Sequence, residues 1–178
     1  MVVRFGDVVR GPCPIIGVLH LPPLPGSPGF AGDLDGTRRR AVDEARLLAD
    51  AGYDGLIVEN YGDLPFLKQG VGPETVAAMA VIAAAVRSSV DLPVGVNVLR
   101  NDHASALGVA AACGCAFVRL NVLVGAVVTP EGVIEGCPGE VLRMRMRLAP
   151  DTLILADVKV KHASAVAGIT IDEEALDA

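Results

Sequence analysis

Polar and titratable residues stand in this chain at the ends of short apolar runs. Ile15–His20 ends in His20, Gly55–Asn60 in Glu59 and Asn60, and Pro93–Leu99 carries Asn97 and is followed by Arg100 and Asn101. Ala116–Val122 carries Arg119 and Asn121, and Thr152–Val160 carries Asp157 and Lys159, with Lys161 and His162 beyond. These types suit acid/base work on a small anion. Histidine is the side-chain type that can change charge near neutrality, which suits His20 to such work. Asp157 beside Lys159 makes a base and an electrophile, each shifting the other's pKa. Arg119 can grip a carboxylate or phosphate in a forked contact. Asn97 and Asn121 can bond hydroxyls or an enolate oxygen, and Arg100 joins them as a binding residue. The catalytic candidates are therefore Asp157, Lys159, His20 and Glu59, and the binding candidates Asn97, Arg119, Asn121 and Arg100. Two other chemistries stay open. Lys159 can serve as a Schiff-base nucleophile, although Asp157 and Glu59 would raise the pKa that such a role needs lowered. His20, Glu59 and Asp157 can hold a divalent metal. A purely structural role also stays open, as an Arg119–Asp157 or a Lys159–Glu59 ion pair.

The elements that must position these residues alternate. Strands starting near residues 15, 55, 93, 116 and 152 recur at a mean spacing of about 34 residues. Helical patterns lie between them: Thr37–Ala51, Gly72–Ser88, Asp102–Cys113 and Pro138–Leu148, with a last one beginning at Asp172. Pro73 suits a first helical position, and Asp102 and Asp172 read as N-caps. Repeated strand-then-helix units mean parallel strands with crossovers, either in a (β/α)8 barrel or in an open doubly wound sheet. No GxGxxG follows the first strand. Pro22-Pro23-Leu24-Pro25-Gly26 stands there instead, poor in the backbone N–H groups that a dinucleotide fold presents.

Alternation within the strands decides between the two. Neighbouring side chains point to opposite faces. Leu56 and Val58, or Val118 and Leu120, make one apolar face; Ile57 and Glu59, or Phe117, Arg119 and Asn121, make a face that turns polar toward its C-terminal end. A doubly wound sheet would bury those charges under helices at high cost, whereas a barrel sets them in its mouth. The expected fold is α/β, the first five units of a (β/α)8 barrel, with residues 1–178 as one incomplete barrel domain. Eight units at this spacing would take about 270 residues. The expectation is thus a fragment, a truncated gene product, or a chain that completes its sheet with another copy, since an open sheet has two apolar edges.

Composition agrees. Of 178 residues, 52% are apolar and 20% charged, which excludes a disordered chain. With no Trp, two Tyr and four Phe, the core must be aliphatic. A net charge of −6 excludes a general nucleic-acid binder. Cys13, Cys113, Cys115 and Cys137 form no CxxC and have no His at zinc spacing; Cys113 and Cys115, astride Gly114 in an apolar segment, read as buried reduced thiols, fitting a cytoplasmic protein. Arg4, Asp7 and Arg10 interrupt the N-terminus, so it is no secretory signal, and the uncharged run Thr75–Val86 is too short to span a bilayer. The proline-dense loop Leu21–Phe30 reads as a stiff wall over the mouth, and Leu123–Gly139 as a hairpin covering it, turning at Thr129-Pro130-Glu131-Gly132. Arg143, Arg145 and Arg147 make a basic stretch able to meet an acidic partner or an anionic membrane surface.

Several of these segments carry a family likeness. Gly17-Val18-Leu19-His20-Leu21-Pro22-Pro23-Leu24-Pro25-Gly26-Ser27-Pro28 resembles the opening signature of the BtpA family, which includes the SgcQ-type proteins. Asp54–Asn60 with Asp63 and Pro65-Phe66, Pro93–Asn101, Phe117–Val122, Glu131–Gly136 and Ala156–His162 agree in the same order. The resemblance implies a ribulose-phosphate-binding type of (β/α)8 barrel. It also implies a link to photosystem I accumulation in cyanobacteria, as an extrinsic thylakoid protein. Relatives occur in organisms without photosystems, often beside sugar-metabolism genes, and some carry a phosphoribosylanthranilate-isomerase label that rests on fold analogy. The family's C-terminal glycine-rich phosphate loops are expected to be missing after the fifth strand. Three functions follow as expectations: an isomerase- or aldolase-like enzyme acting on a small phosphorylated sugar or related anion, a non-catalytic assembly factor for a membrane complex such as photosystem I, and an inactive truncated remnant. The expected partners are a small anionic metabolite, a peripheral membrane or membrane-complex contact and further copies of the chain.

Overall fold

A computed structural model describes residues 4–9, 11–68 and 70–178; Arg10, part of the N-terminal reading above, lies outside the described residues. A single helical turn, α1 (Phe5–Val8), precedes β1 (Ile16–His20) and α2 (Leu34–Asp50). Then β2 (Gly55–Glu59) leads to α3 (Pro73–Ser89), and β3 (Val94–Asn97) to α4 (His103–Cys113). β4 (Phe117–Leu120) passes through a hairpin of β5 (Ala126–Thr129) and β6 (Gly132–Glu135) into α5 (Pro138–Leu148). β7 (Leu153–Ala156) is followed by the two-residue β8 (Ser164–Ala165) and by α6 (Ile171–Asp177).

Local chemistry sets the helix bounds. The Asp33 carboxylate accepts the Gly36 amide at 2.7 Å and opens α2. Asp102, as expected, caps α4 by accepting the Ser105 amide at 3.0 Å, and Gly114 ends that helix in the left-handed region at φ 66°. Pro73 occupies the first turn of α3, where its missing N–H costs nothing. At α6 the expected cap is corrected: Thr170, not Asp172, accepts from Glu173 in a capping box. Asp172 already lies inside the first turn, where its charge favours the helix dipole.

The long strands form one parallel sheet in the order β1-β2-β3-β4-β7, so β1 and β7 are its edges. Register runs straight across: His20 faces Glu59, Glu59 faces Asn97, and Arg119 faces Leu155. The order never reverses, unlike that of a doubly wound sheet, and right-handed crossovers therefore place α2 to α5 on one face. Leu19, Leu56, Val58, Val94, Val96, Val118 and Leu120 are buried on that side with Ala45, Met79, Ile82, Val86 and Leu107 of the helices. Each fully buried Leu, Val or Met contributes about 1.5–3 kcal/mol over leaving it exposed. The expected hairpin is present and pairs antiparallel, Thr129 against Gly132, while β8 adds an unforeseen third strand beside β5.

Two readings are corrected. The fifth strand ends at Ala156 rather than Val160, because the backbone turns into the left-handed region at Lys159 (φ 54°). The cysteines are all free, yet only Cys115 is buried; Cys113 and Cys137 are half-buried and Cys13 is exposed. Burial, with Cys113 nearby, pushes the Cys115 thiol up to about 12. Among the described residues no helix is long and apolar enough to cross a membrane.

On the face opposite the helices Gly95 has a specific task. A Cβ there would strike the Phe117 ring of the adjacent strand, so the glycine lets that ring lie flat beneath the polar end of the sheet. Gly95→Ala should cost about 1–3 kcal/mol by overpacking. In urea denaturation, Phe117→Leu added to Gly95→Ala should recover part of that loss, whereas simple additivity of the two losses would refute the contact.

Candidate active site

The C-terminal ends of the parallel strands carry the polar residues onto one face, and the loops that follow wall in a cavity of about 700 Å³. Three of those loops are braced by buried side chains. Asn60 donates to Asp63 at 2.9 Å and accepts the Leu99 amide at 2.7 Å, while Asp63 accepts the Leu24 amide at 2.7 Å. The loops after β1, β2 and β3 are thus tied together. Asn101 joins the next loop by accepting from the Val122 amide and donating to the Val122 carbonyl, both at 2.9 Å. Buried backbone and amide groups need such partners, so these residues set the shape of the mouth.

Inside it, Glu59 is almost fully buried. Its Oε1 accepts from Arg119 Nη1 at 2.8 Å and from Asn97 Nδ2 at 3.2 Å. Its Oε2 lies 3.7 Å from His20 Nε2. Arg119 grips Asp157 with a fork, Nε to Oδ1 at 2.8 Å and Nη2 to Oδ2 at 2.9 Å, and Asn121 adds a bond to Oδ2 at 2.7 Å. Hydrogen bonding to Asp157, with the charge of Glu59, raises the Arg119 pKa well above the ordinary arginine range, so it is a permanent cation. The forked contact that the residue type suggested for a substrate anion is thus taken by an internal carboxylate. Asn121 Oδ1 is buried and has no hydrogen-bond partner, leaving an acceptor at the cavity wall.

The structure brings together His20, Glu59, Asn97, Arg119, Asn121 and Asp157. Arg100 stands at the cavity rim, donating to the Lys161 carbonyl at 3.1 Å with its Nε 3.7 Å from Glu131. Lys159 is not among them. Its ammonium donates to the Ile169 carbonyl at 2.7 Å and meets Glu174 of α6 at 3.1 Å, on the far side of the left-handed turn. Lys161 and His162 line the cavity instead. The proposed metal set of His20, Glu59 and Asp157 does not converge, because the Arg119 guanidinium sits between the two carboxylates and repels a cation there.

Two aromatic residues at the site were not among the candidates. Tyr61 stacks on the His20 ring with centroids 4.2 Å apart at 19°, and Phe66 meets Tyr61 edge-on at 6.2 Å. The stack holds one face of the half-exposed imidazole and presents an apolar wall to whatever enters. The signal was faint: two of the six aromatic residues fall in the loop directly after Glu59.

Fold and site together define the class: an α/β protein whose single parallel sheet delivers a charged cluster to a cleft at its strand ends. The chain belongs to the BtpA family, whose model matches residues 12–178. It is 51% identical over 150 residues to the photosystem I biogenesis protein BtpA of Synechocystis, a match covering 84% of this chain and 52% of that protein. An uncharacterised protein of Pyrococcus horikoshii is 49% identical over 151 residues, covering 85% of this chain and 58% of its own length. A mitochondrial, uncharacterised protein of Caenorhabditis elegans is 34% identical over 172 residues, covering 92% and 62%. The chain spans between half and two thirds of the length of these relatives. Among solved structures, PhdJ bound to substrate intermediate superposes with a TM-score of 0.51 at 18% identity, over 84% of this chain and 43% of that one, and shares the fold.

Removing the Arg119 charge leaves Glu59 buried without its strongest partner. Arg119→Met should therefore destabilise the chain by about 3 kcal/mol in urea denaturation. His20→Asn, at a half-exposed ring, should change stability by less than about 0.5 kcal/mol. Equal effects of the two would contradict the assignment of Arg119 to the framework and His20 to the chemistry.

Proposed function

We propose that this chain forms the first five units of a (β/α)8-type barrel and that its cleft performs proton transfer on a small anionic metabolite, in the manner of an isomerase or aldolase acting on a phosphorylated sugar. One observation carries the reading: Glu59 is buried with one oxygen committed to Arg119 and Asn97 and the other turned toward His20 at the cavity. A carboxylate so held is a positioned base. Its Oε2 takes a proton from a carbon next to a carbonyl, and His20, wedged against Tyr61, exchanges that proton with solvent. The unpartnered Asn121 Oδ1 receives a substrate hydroxyl. Arg100 and Lys161 at the rim supply positive charge for the anionic end, and His162 lines the same rim. Asp157 holds Arg119 in place and does not touch the reacting atoms. A Schiff base on Lys159 is not part of this reading, since its ammonium is engaged by Ile169 and Glu174.

A second reading, a non-catalytic assembly factor for a membrane complex, is favoured by α5. That helix exposes Leu142 and Met146 beside Arg143 and Arg147, an apolar and basic surface suited to an acidic partner. The 51% identical Synechocystis protein carries the photosystem I biogenesis name.

Exchange of deuterium from D2O into the carbon-bound hydrogens of aldose and ketose phosphates, followed by NMR, separates the two. The enzyme reading predicts exchange that falls at least about 100-fold in Glu59→Gln and persists in Lys159→Met. Exchange that survives Glu59→Gln, or none with any compound of the panel, would refute it in favour of the assembly factor.

A further inference from the structure

The β5–β6 hairpin borders a second cavity, of about 390 Å³, on which two helix starts converge. His103 is the first residue of α4, Cys137 is the N-cap of α5, and Glu140 lies in the first turn of α5. Cys137 Sγ lies 3.6 Å from His103 Nδ1, and Glu140 Oε1 lies 3.5 Å from His103 Nε2. One ligand atom from each residue falls within 4.8 Å of the others. His103 Nε2 is moreover a buried nitrogen without a hydrogen-bond partner, and the Glu140 side chain is 64% exposed and free to turn. None of the three belongs to the cleft described above.

We propose that His103, Cys137 and Glu140 bind a divalent transition metal of the zinc type, with its remaining position open to solvent. The donor set of imidazole, thiolate and carboxylate is one that zinc accepts. Zinc–sulfur and zinc–nitrogen bonds of about 2.3 and 2.0 Å at a tetrahedral angle set sulfur and nitrogen about 3.5 Å apart. The Cys137–His103 separation already has that value, and a rotamer change brings the Glu140 oxygen in. Neighbouring Asp102 is not a ligand, since it is engaged by the Val71 and Ser105 amides and the Ser105 hydroxyl. The metal takes the sulfur as thiolate and so displaces its proton as it binds. The two helix N-termini disfavour a bare cation but favour the thiolate that forms, which offsets the effect. Cys137 and His103 are 34 residues apart, and only the packing of α5 on α4 brings them together.

Titration of the metal-free chain with Co2+ tests the site. One equivalent should bind and give a thiolate-to-cobalt charge-transfer band, which one equivalent of Zn2+ then abolishes. Cys137→Ser should lose the band, and His103→Asn and Glu140→Gln should each weaken binding by more than the roughly 10–100-fold that loss of a mere supporting residue costs. Cys13→Ser, at an exposed thiol, should change nothing. Circular dichroism of each variant confirms that it is folded. A band that survives Cys137→Ser, or that is lost with Cys13→Ser, would overturn the proposal. So would rapid alkylation of Cys137 unaffected by excess Zn2+, which would mark a metal-free thiol–imidazole pair instead.

Discussion

Glu59 holds a carboxylate 2% exposed at the centre of a sheet made of aliphatic side chains. Taking such a charge out of water costs several kcal/mol unless it is paired and bonded on all sides. Its nearest polar neighbours answer that requirement. Arg119 provides the opposite charge, Asn97 a neutral donor, and His20 a group that can carry a proton beside the remaining oxygen. Arg119 carries more N–H donors than Glu59 accepts, so Asp157, just past the end of the next strand, takes its Nε and Nη2 edge and Asn121 holds Asp157. The cluster crosses all five parallel strands, and its geometry depends on their register.

That register follows from side-chain volume. Val, Leu and Ile on the helix face seat α3 and α4 closely, and Gly95 opens room for Phe117 on the opposite face. The buried phenyl ring, two residues before Arg119 on the same face, is part of the apolar floor under the charged layer, where ion pairs are screened less than in water. Above the layer, Asn60, Asp63 and Asn101 act as crosslinks between loops. They fix the cavity walls while Tyr61 and Lys161 remain accessible. The groups below are thus held rigidly, and those above face the cavity.

Much of this was legible in the chain itself. In the first four strands one face is wholly apolar and the other turns polar only at its C-terminal end, so alternation placed His20, Glu59, Asn97 and Arg119 on one face. The Asp102 cap and the turn at Pro130-Glu131 were readable because their residue types have narrow conformational uses. Lys159 was misplaced by the same rule. The extended backbone stops at Ala156, and the left-handed turn falls on a lysine, where no glycine announces it. Thr170 and Asp172 are both capping types, and only the extended backbone at Thr170 distinguishes them. Tyr61, in a loop without periodicity, left no pattern to follow. The pairing of His103 with Cys137 depends on how two helices pack, information that local spacing does not contain.

The buried charge network is a claim about coupling, so a double-mutant cycle between Glu59→Gln and Arg119→Met tests it most directly. Measured by urea denaturation, the two changes should couple by at least about 1.5 kcal/mol, as close charge pairs do. Losses that add to within about 0.3–0.5 kcal/mol would show that the two residues act independently and would contradict the account.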